Sequence, residues 1–107
     1  SSRQAPTGYD VLKMATRGSA RLLGRDDIGQ LSEGKCADLF MIDSRRLELV
    51  GCGCDAGSVL GTVGVRGPVD YTVVQGRVTV EGGRLVTVDE DRLAREADAK
   101  CRAYLAL

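Results

Sequence analysis

The chain has 107 residues, no histidine, and 15 Lys+Arg balanced by 15 Asp+Glu. That length excludes a complete (β/α)8 barrel, which needs about 250 residues, and holds one domain at most. The balanced charge gives no basic field for nucleic acid or anionic lipid, and no apolar run approaches the roughly 20 residues of a membrane span.

Aromatic content is only 4%, and 14 glycines bring turns and backbone entropy. A domain this small buries very roughly 65% of its unfolded surface, so its core has little margin. Residues 1–6 hold no apolar h-region and read as frayed, with no secretory signal. The absence of an initial Met reads as cutting or processing.

The first element is a helix. Thr7 is a good N-cap, and Asp10 three positions on makes a weaker form of the capping box. Val11, Leu12, Ala15, Ser19, Leu22 and Leu23 recur at helical spacing and predict a buried stripe. Gly24 is placed as the C′ residue that ends the helix. Gly18 costs about 1 kcal/mol against Ala inside a helix, so its expected use is close packing on another backbone. Residues 25–35 are turn-rich, with Ile28 and Leu31 expected to point inward.

Residues 37–43 predict a strand whose nearly continuous apolar centre suggests cover on both faces. Residues 45–50 read as extended or loop, and residues 51–57 as loop. Residues 58–65 are apolar but broken by two glycines, so a short helix and an irregular strand both remain open. Gly67-Pro68 marks a turn. Residues 69–74 and 77–81 are rich in β-branched residues and flank Gln75-Gly76, which predicts a hairpin. Gly82-Gly83 turns again into residues 84–88, completing a three-strand meander. Asp89 then caps a last helix to about Leu105, with acidic residues in its first turn and a buried stripe of Leu93, Ala97, Cys101 and Tyr104.

The four cysteines form one close pair, Cys52 and Cys54, and two distant singles, Cys36 and Cys101. A structural zinc site usually needs two close pairs. The plainer reading makes Cys36 and Cys101 small core residues and leaves the pair in a loop. The carboxylates Asp26, Asp27, Asp43, Asp55, Asp89, Glu90 and Asp91 read as turn, strand-end and cap residues. Ser32 and Ser58 have no histidine to activate them. Lys35 reads as a solvated turn residue. The loop at 51–57 lacks the Gly-Lys-Ser/Thr ending of a phosphate-binding loop.

Two segments carry a resemblance. Ala15-Thr16-Arg17-Gly18-Ser19-Ala20-Arg21-Leu22-Leu23-Gly24 is followed by Ile28-Gly29-Gln30-Leu31-Ser32-Glu33-Gly34-Lys35-Cys36-Ala37-Asp38-Leu39. Asp70-Tyr71-Thr72-Val73-Val74-Gln75-Gly76-Arg77-Val78-Thr79-Val80 adds a closing hairpin. Together they resemble the C-terminal part of the amidohydrolase superfamily, in its 8-oxoguanine, guanine, cytosine and triazine deaminase branch. The resemblance covers about residues 10–90. One departure is Cys54-Asp55-Ala56, where many relatives carry His-Asp-Pro.

The resemblance implies an α+β fold: the C-terminal half of a composite β-sandwich, a small antiparallel meander flanked by two helices, as a fragment of a TIM-barrel amidohydrolase. It divides the chain into a barrel-associated helix and turn at 1–27, the half-sandwich at 28–88 and a C-terminal helix at 89–107. The parent chemistry it implies is hydrolytic deamination of a purine, pyrimidine or triazine ring, with zinc or iron held by histidines and an aspartate. None of those histidines is in this chain. No catalytic, cofactor-binding or metal residue is therefore assigned here, and the chain is expected to be inactive alone. In this reading Asp38 is structural, its carboxylate serving the N–H groups of the preceding glycine turn.

The expected partners are the parent's N-terminal barrel and sandwich strands. The exposed strand edges also predict a homodimer, a strand swap or a partly molten state for the isolated chain. Nucleic acid and membrane are not expected partners, and the cytoplasm is the expected location. Two other readings stay open: an independent β-rich binding or oligomerisation module, and a redox or metal module built on Cys52 and Cys54.

Overall fold

Thr7 and Asp10 cap one another across the first helical turn. The Thr7 N–H donates to Asp10 Oδ2 at 2.9 Å, and the Asp10 N–H donates to Thr7 Oγ1 at 3.1 Å. This capping box starts α1 (Gly8–Lys13) in a computed structural model that describes residues 5–51 and 55–106. The expected long helix is continuous but not uniform. A π turn (Met14–Gly18) separates α1 from α2 (Ser19–Leu22). The Ser19 N–H reaches back to the Met14 carbonyl, and the Ser19 hydroxyl donates to the same oxygen at 2.9 Å. Gly24 ends the helix as expected, at φ +70°. Its N–H donates to the Arg21 carbonyl and the Arg25 N–H to the Ala20 carbonyl, which is the Schellman pattern.

The close backbone packing predicted for Gly18 occurs elsewhere. A methyl on Gly18 would stand 3.6 Å from the nearest atom, the Lys13 carbonyl oxygen. The tight crossing is between α1 and α3 (Ala56–Thr62). A methyl on Gly61 would lie 1.8 Å from the Gly8 carbonyl oxygen, and one on Gly8 would lie 1.9 Å from the Ser58 carbonyl oxygen. Residues 58–62 are thus helical, and the glycines that made this segment ambiguous allow the two backbones to touch. Gly29, at φ +89°, makes a second close approach, to the Thr16 carbonyl and Ala20.

The sheet has four strands in sequence order: β1 (Leu39–Met41), β2 (Tyr71–Val74), β3 (Arg77–Glu81) and β4 (Arg84–Leu85). All pairs are antiparallel, with Phe40 opposite Thr72 and Thr72 opposite Val80. A register shift after Thr72 bends the central pair. The predicted hairpin is present, and its turn residues Gln75 and Gly76 both have positive φ, 51° and 78°. The strand expected over 84–88 stops after two residues. A 3-10 turn (Leu47–Leu49) occupies part of the segment read as extended or loop. Asp89 caps α4 (Glu90–Leu105) by accepting the Arg92 N–H at 3.0 Å.

The expected core is the largest correction. Among the described residues, Ala20 is the sole buried apolar side chain. Leu22 of the α1–α2 stripe is 88% exposed, Leu31 is 67% exposed and Tyr104 of α4 is 76% exposed. Phe40 and Met41 of β1, expected to be covered on both faces, are about half exposed. Cys101 is exposed instead of buried. The Cα radius of gyration is 18.3 Å, where a compact domain of this length has about 13 Å. The elements carry the apolar faces that periodicity predicts, but among the described residues most of those faces are left exposed.

Candidate functional site

The polar groups gather in two clusters, and each joins segments far apart in sequence. The first is built where the α2 Schellman turn releases the chain. Arg25 grips Asp27 through two hydrogen bonds, Nε to Oδ1 at 2.9 Å and Nη2 to Oδ2 at 2.6 Å. The Cys36 N–H donates to the Asp27 carbonyl at 2.7 Å, and the Cys36 thiol donates to Asp27 Oδ2 at 3.3 Å. The Lys35 ammonium donates to the Asp26 carbonyl, so Lys35 is a half-buried clasp and not a solvated turn residue.

This geometry sets the ionisation. The Arg25 guanidinium, with help from the Cys36 thiol, pulls the Asp27 carboxyl down to about 2. The hydrogen bond to that carboxylate, reinforced by burial, pushes the Cys36 thiol up. A reactive cysteine needs the opposite, a stabilised thiolate. The cluster is a lock on the loop from residue 27 to residue 36.

The second cluster centres on Arg46, whose side chain is 20% exposed. Its guanidinium donates to the Pro68 carbonyl at 2.7 Å, the Arg66 carbonyl at 3.3 Å and Asp70 Oδ2 at 3.1 Å. The same Asp70 oxygen accepts the Asp43 N–H at 2.6 Å. Asp70 is held below the usual carboxylate range, first by that N–H and then by Arg46. Asp43 is held at about 2 by Arg45, which turns back onto it. Arg46 and Asp70 escaped the sequence reading. They lie 24 residues apart, and nothing in a local window couples Arg45-Arg46 to the start of β2.

Most of the remaining carboxylates do what turn and cap residues do. Asp55 caps α3 by accepting the Ser58 N–H at 3.3 Å. Glu90 accepts the Leu85 N–H at 2.8 Å, and Asp91 pairs with Arg84 at 2.9 Å. Asp38 serves a different partner from the one expected. Its Oδ1 accepts the Gln75 N–H at 2.8 Å, in the β2–β3 turn and not in the preceding glycine turn.

Among the described residues no three His, Cys, Asp or Glu side chains come together to hold a metal ion. With no histidine in the sequence, the donor set does not fit a catalytic zinc or iron centre. Cys52 and Cys54 lie outside the described residues. No described helix is long and apolar enough to cross a membrane.

An open groove of about 340 Å³ runs between β1, the 3-10 turn and α3, lined by Phe40, Ile42, Ser44, Leu49, Ala56, Val59 and Leu60. Apolar residues of α1, α2 and α4 are exposed as well.

Comparison with known proteins identifies the family. The model described as "Amidohydrolase family" matches residues 3–80. Hydroxydechloroatrazine ethylaminohydrolase of Pseudomonas sp. (strain ADP) is 44% identical over 94% of this chain and 21% of its own length. A 5-methylthioadenosine/S-adenosylhomocysteine deaminase of Desulforudis audaxviator is 38% identical over 94% of this chain and 23% of its own length. The crystal structure of atrazine chlorohydrolase TrzN from Arthrobacter aurescens TC1, complexed with zinc, superposes with a TM-score of 0.75 at 36% identity. That match covers 87% of this chain and 20% of TrzN. The chain therefore spans about a fifth of the length of the relatives it matches.

Proposed function

The chain belongs to the amidohydrolase family, and from that premise we propose that it is the structural C-terminal part of a metal-dependent hydrolase. The observation that carries this is the uncovered apolar surface on a fold that matches one fifth of TrzN. Exposed apolar residues stand on α1, α2, α4 and the sheet, which supports the reading that further parts of a larger protein cover them. The proposed neighbours are a TIM barrel and the N-terminal strands of a composite sandwich.

The reaction class follows from the relatives. Their names describe removal of an amine from triazine or adenine-type rings, or of chloride from a triazine. The proposed chemistry is hydrolytic displacement at an electron-poor ring carbon: water adds, and an amine or ammonia leaves. The zinc named with TrzN makes zinc the metal proposed for the whole protein. This chain supplies none of its ligands in the proposal. Its own residues brace the fold through the Asp27 and Arg46 clusters. A cytoplasmic location belongs to the same proposal.

The test begins with the reading frame upstream of Ser1. The complete protein is expressed and assayed for amine release from aminotriazines and aminopurine nucleosides, with and without a chelator. The expected result is turnover of one class, lost on chelation and absent from residues 1–107 alone. A frame that opens just ahead of Ser1, or a complete protein without turnover, overturns the proposal.

A further inference from the structure

The charge balance of the whole chain conceals a local excess. Lys13, Arg17 and Arg21 follow at intervals of four residues along α1, the π turn and α2, and Asp10 is the one carboxylate on that stretch. Like charges at this spacing on a helix repel one another. On α4 the corresponding charges are offset by partners, Arg92 by Glu96 and Arg102 by Asp98. The side chains of Arg17 and Arg21 have no hydrogen bond or ion pair among the described residues. Both instead line a concave site of about 250 Å³, together with Arg25, Lys35, Asp26 and the buried Ala20.

We propose that this site binds a phosphate dianion. Its walls are held in place: Gly29 lies against the Thr16 carbonyl and Ala20, the Cys36 N–H holds the Asp27 carbonyl, and the Lys35 ammonium holds the Asp26 carbonyl. Arg25 is engaged by Asp27. Arg17, Arg21 and Lys35 then stand against one carboxylate, Asp26, and leave an excess of two positive charges. A phosphate group carries about two negative charges at neutral pH and matches that excess, whereas a carboxylate brings only one. Each guanidinium is a planar fork that engages two phosphate oxygens at once. Lys35 keeps two N–H donors beyond the one it gives to Asp26. Lys13 shares an adjoining concavity with the same two arginines and strengthens the field that draws an anion in.

Isothermal titration of the protein expressed from its complete reading frame tests the site without an activity assay, so the outcome is independent of the hydrolase proposal. The probes are orthophosphate and glycerol 3-phosphate, at about 0.15 M chloride to screen diffuse attraction. One phosphate is expected to bind per chain. Equal binding of the two probes assigns the site to free phosphate, and tighter binding of glycerol 3-phosphate assigns it to a phosphate monoester; either supports the proposal. Arg17→Gln with Arg21→Gln is expected to weaken binding by about tenfold or more with unchanged circular dichroism, and Arg17→Lys with Arg21→Lys to weaken it less. Arg95→Gln, on α4 and also without an ion pair among the described residues, is expected to change nothing. Failure of the wild type to bind either probe overturns the proposal. So does binding that the Arg95 variant weakens as much as the Arg17/Arg21 variant. If the wild type does not bind and the Arg17/Arg21 variant also melts lower in phosphate-free buffer, the two arginines pair with carboxylates of the protein instead.

Discussion

Asp38, at the entry to β1, accepts a hydrogen bond at 2.8 Å from the Gln75 N–H, 37 residues later in the β2–β3 turn. The Gly76 N–H donates to the Ala37 carbonyl at 3.0 Å beside it. The edge strand and the hairpin turn are thus clamped together, and the Ala-Asp-Leu motif is explained by the sheet it closes. Asp38→Ala removes the acceptor and is expected to lower the Tm of the protein, whereas Asp38→Asn keeps an oxygen there and is expected to lose less. Thermal melts of the two variants check this.

Gln75 holds φ at 51°, in the left-handed region where a side chain with a Cβ is strained. Followed by Gly76, the position suits Asn in a two-residue hairpin. Gln75→Asn is expected to stabilise by about 0.5–1 kcal/mol in chemical denaturation, because it relieves that strain and keeps the N–H that Asp38 accepts.

Gly61 and Gly8 bring α3 onto α1 with no room for a methyl group. Gly61→Ala is expected to destabilise by roughly 3 kcal/mol, since backbone must move to admit it. Gly18→Ala, where a methyl meets only ordinary van der Waals contacts, is expected to stay within about 1 kcal/mol of the wild type. Equal effects at the two positions in urea unfolding would refute this placement of the helix crossing.

Arg46 satisfies two carbonyls and Asp70 at once. Arg46→Met keeps much of its stem but removes all its donors, and a loss of roughly 2 kcal/mol is expected. Arg46→Lys is expected to recover only part, because an ammonium cannot reproduce the planar fork. Equilibrium unfolding of both variants is the measurement.

Asp27 and Asp43 titrate near 2 when folded, against 3.8 for a free Asp. The unfolded chain therefore takes up protons first as the pH falls. Their contribution to stability is complete above about pH 4 to 5 and is lost between about pH 4 and 2. Asp27→Asn with Asp43→Asn is expected to flatten the acid limb of the stability profile. In the Asp27→Asn protein the Cys36 thiol loses its carboxylate neighbour, and alkylation of Cys36 at pH 8 is expected to run faster than in the wild type.

Local chemistry determined the elements. Thr7 and Asp10 declared a helix start, Gly24 its end, Gln75-Gly76 a turn between β-branched runs, and Asp89 a second cap. Each is decided within about four residues, which is the range over which caps, turns and periodicity act. The family was also legible, because its glycine and apolar spacings stand in the chain almost unbroken. The absence of histidine told as plainly that metal chemistry has no ligands of that kind here.

Tertiary structure decided the rest. Arg46 meets Asp70, Asp38 meets Gln75 and Gly8 meets Gly61 across 24, 37 and 53 intervening steps of chain, contacts that no local pattern encodes. It also decided that Leu22, Leu93, Cys101 and Tyr104 are exposed. Periodicity names the face of a helix that seeks cover, but burial requires a second surface. Across the described residues of this chain, that second surface is not supplied.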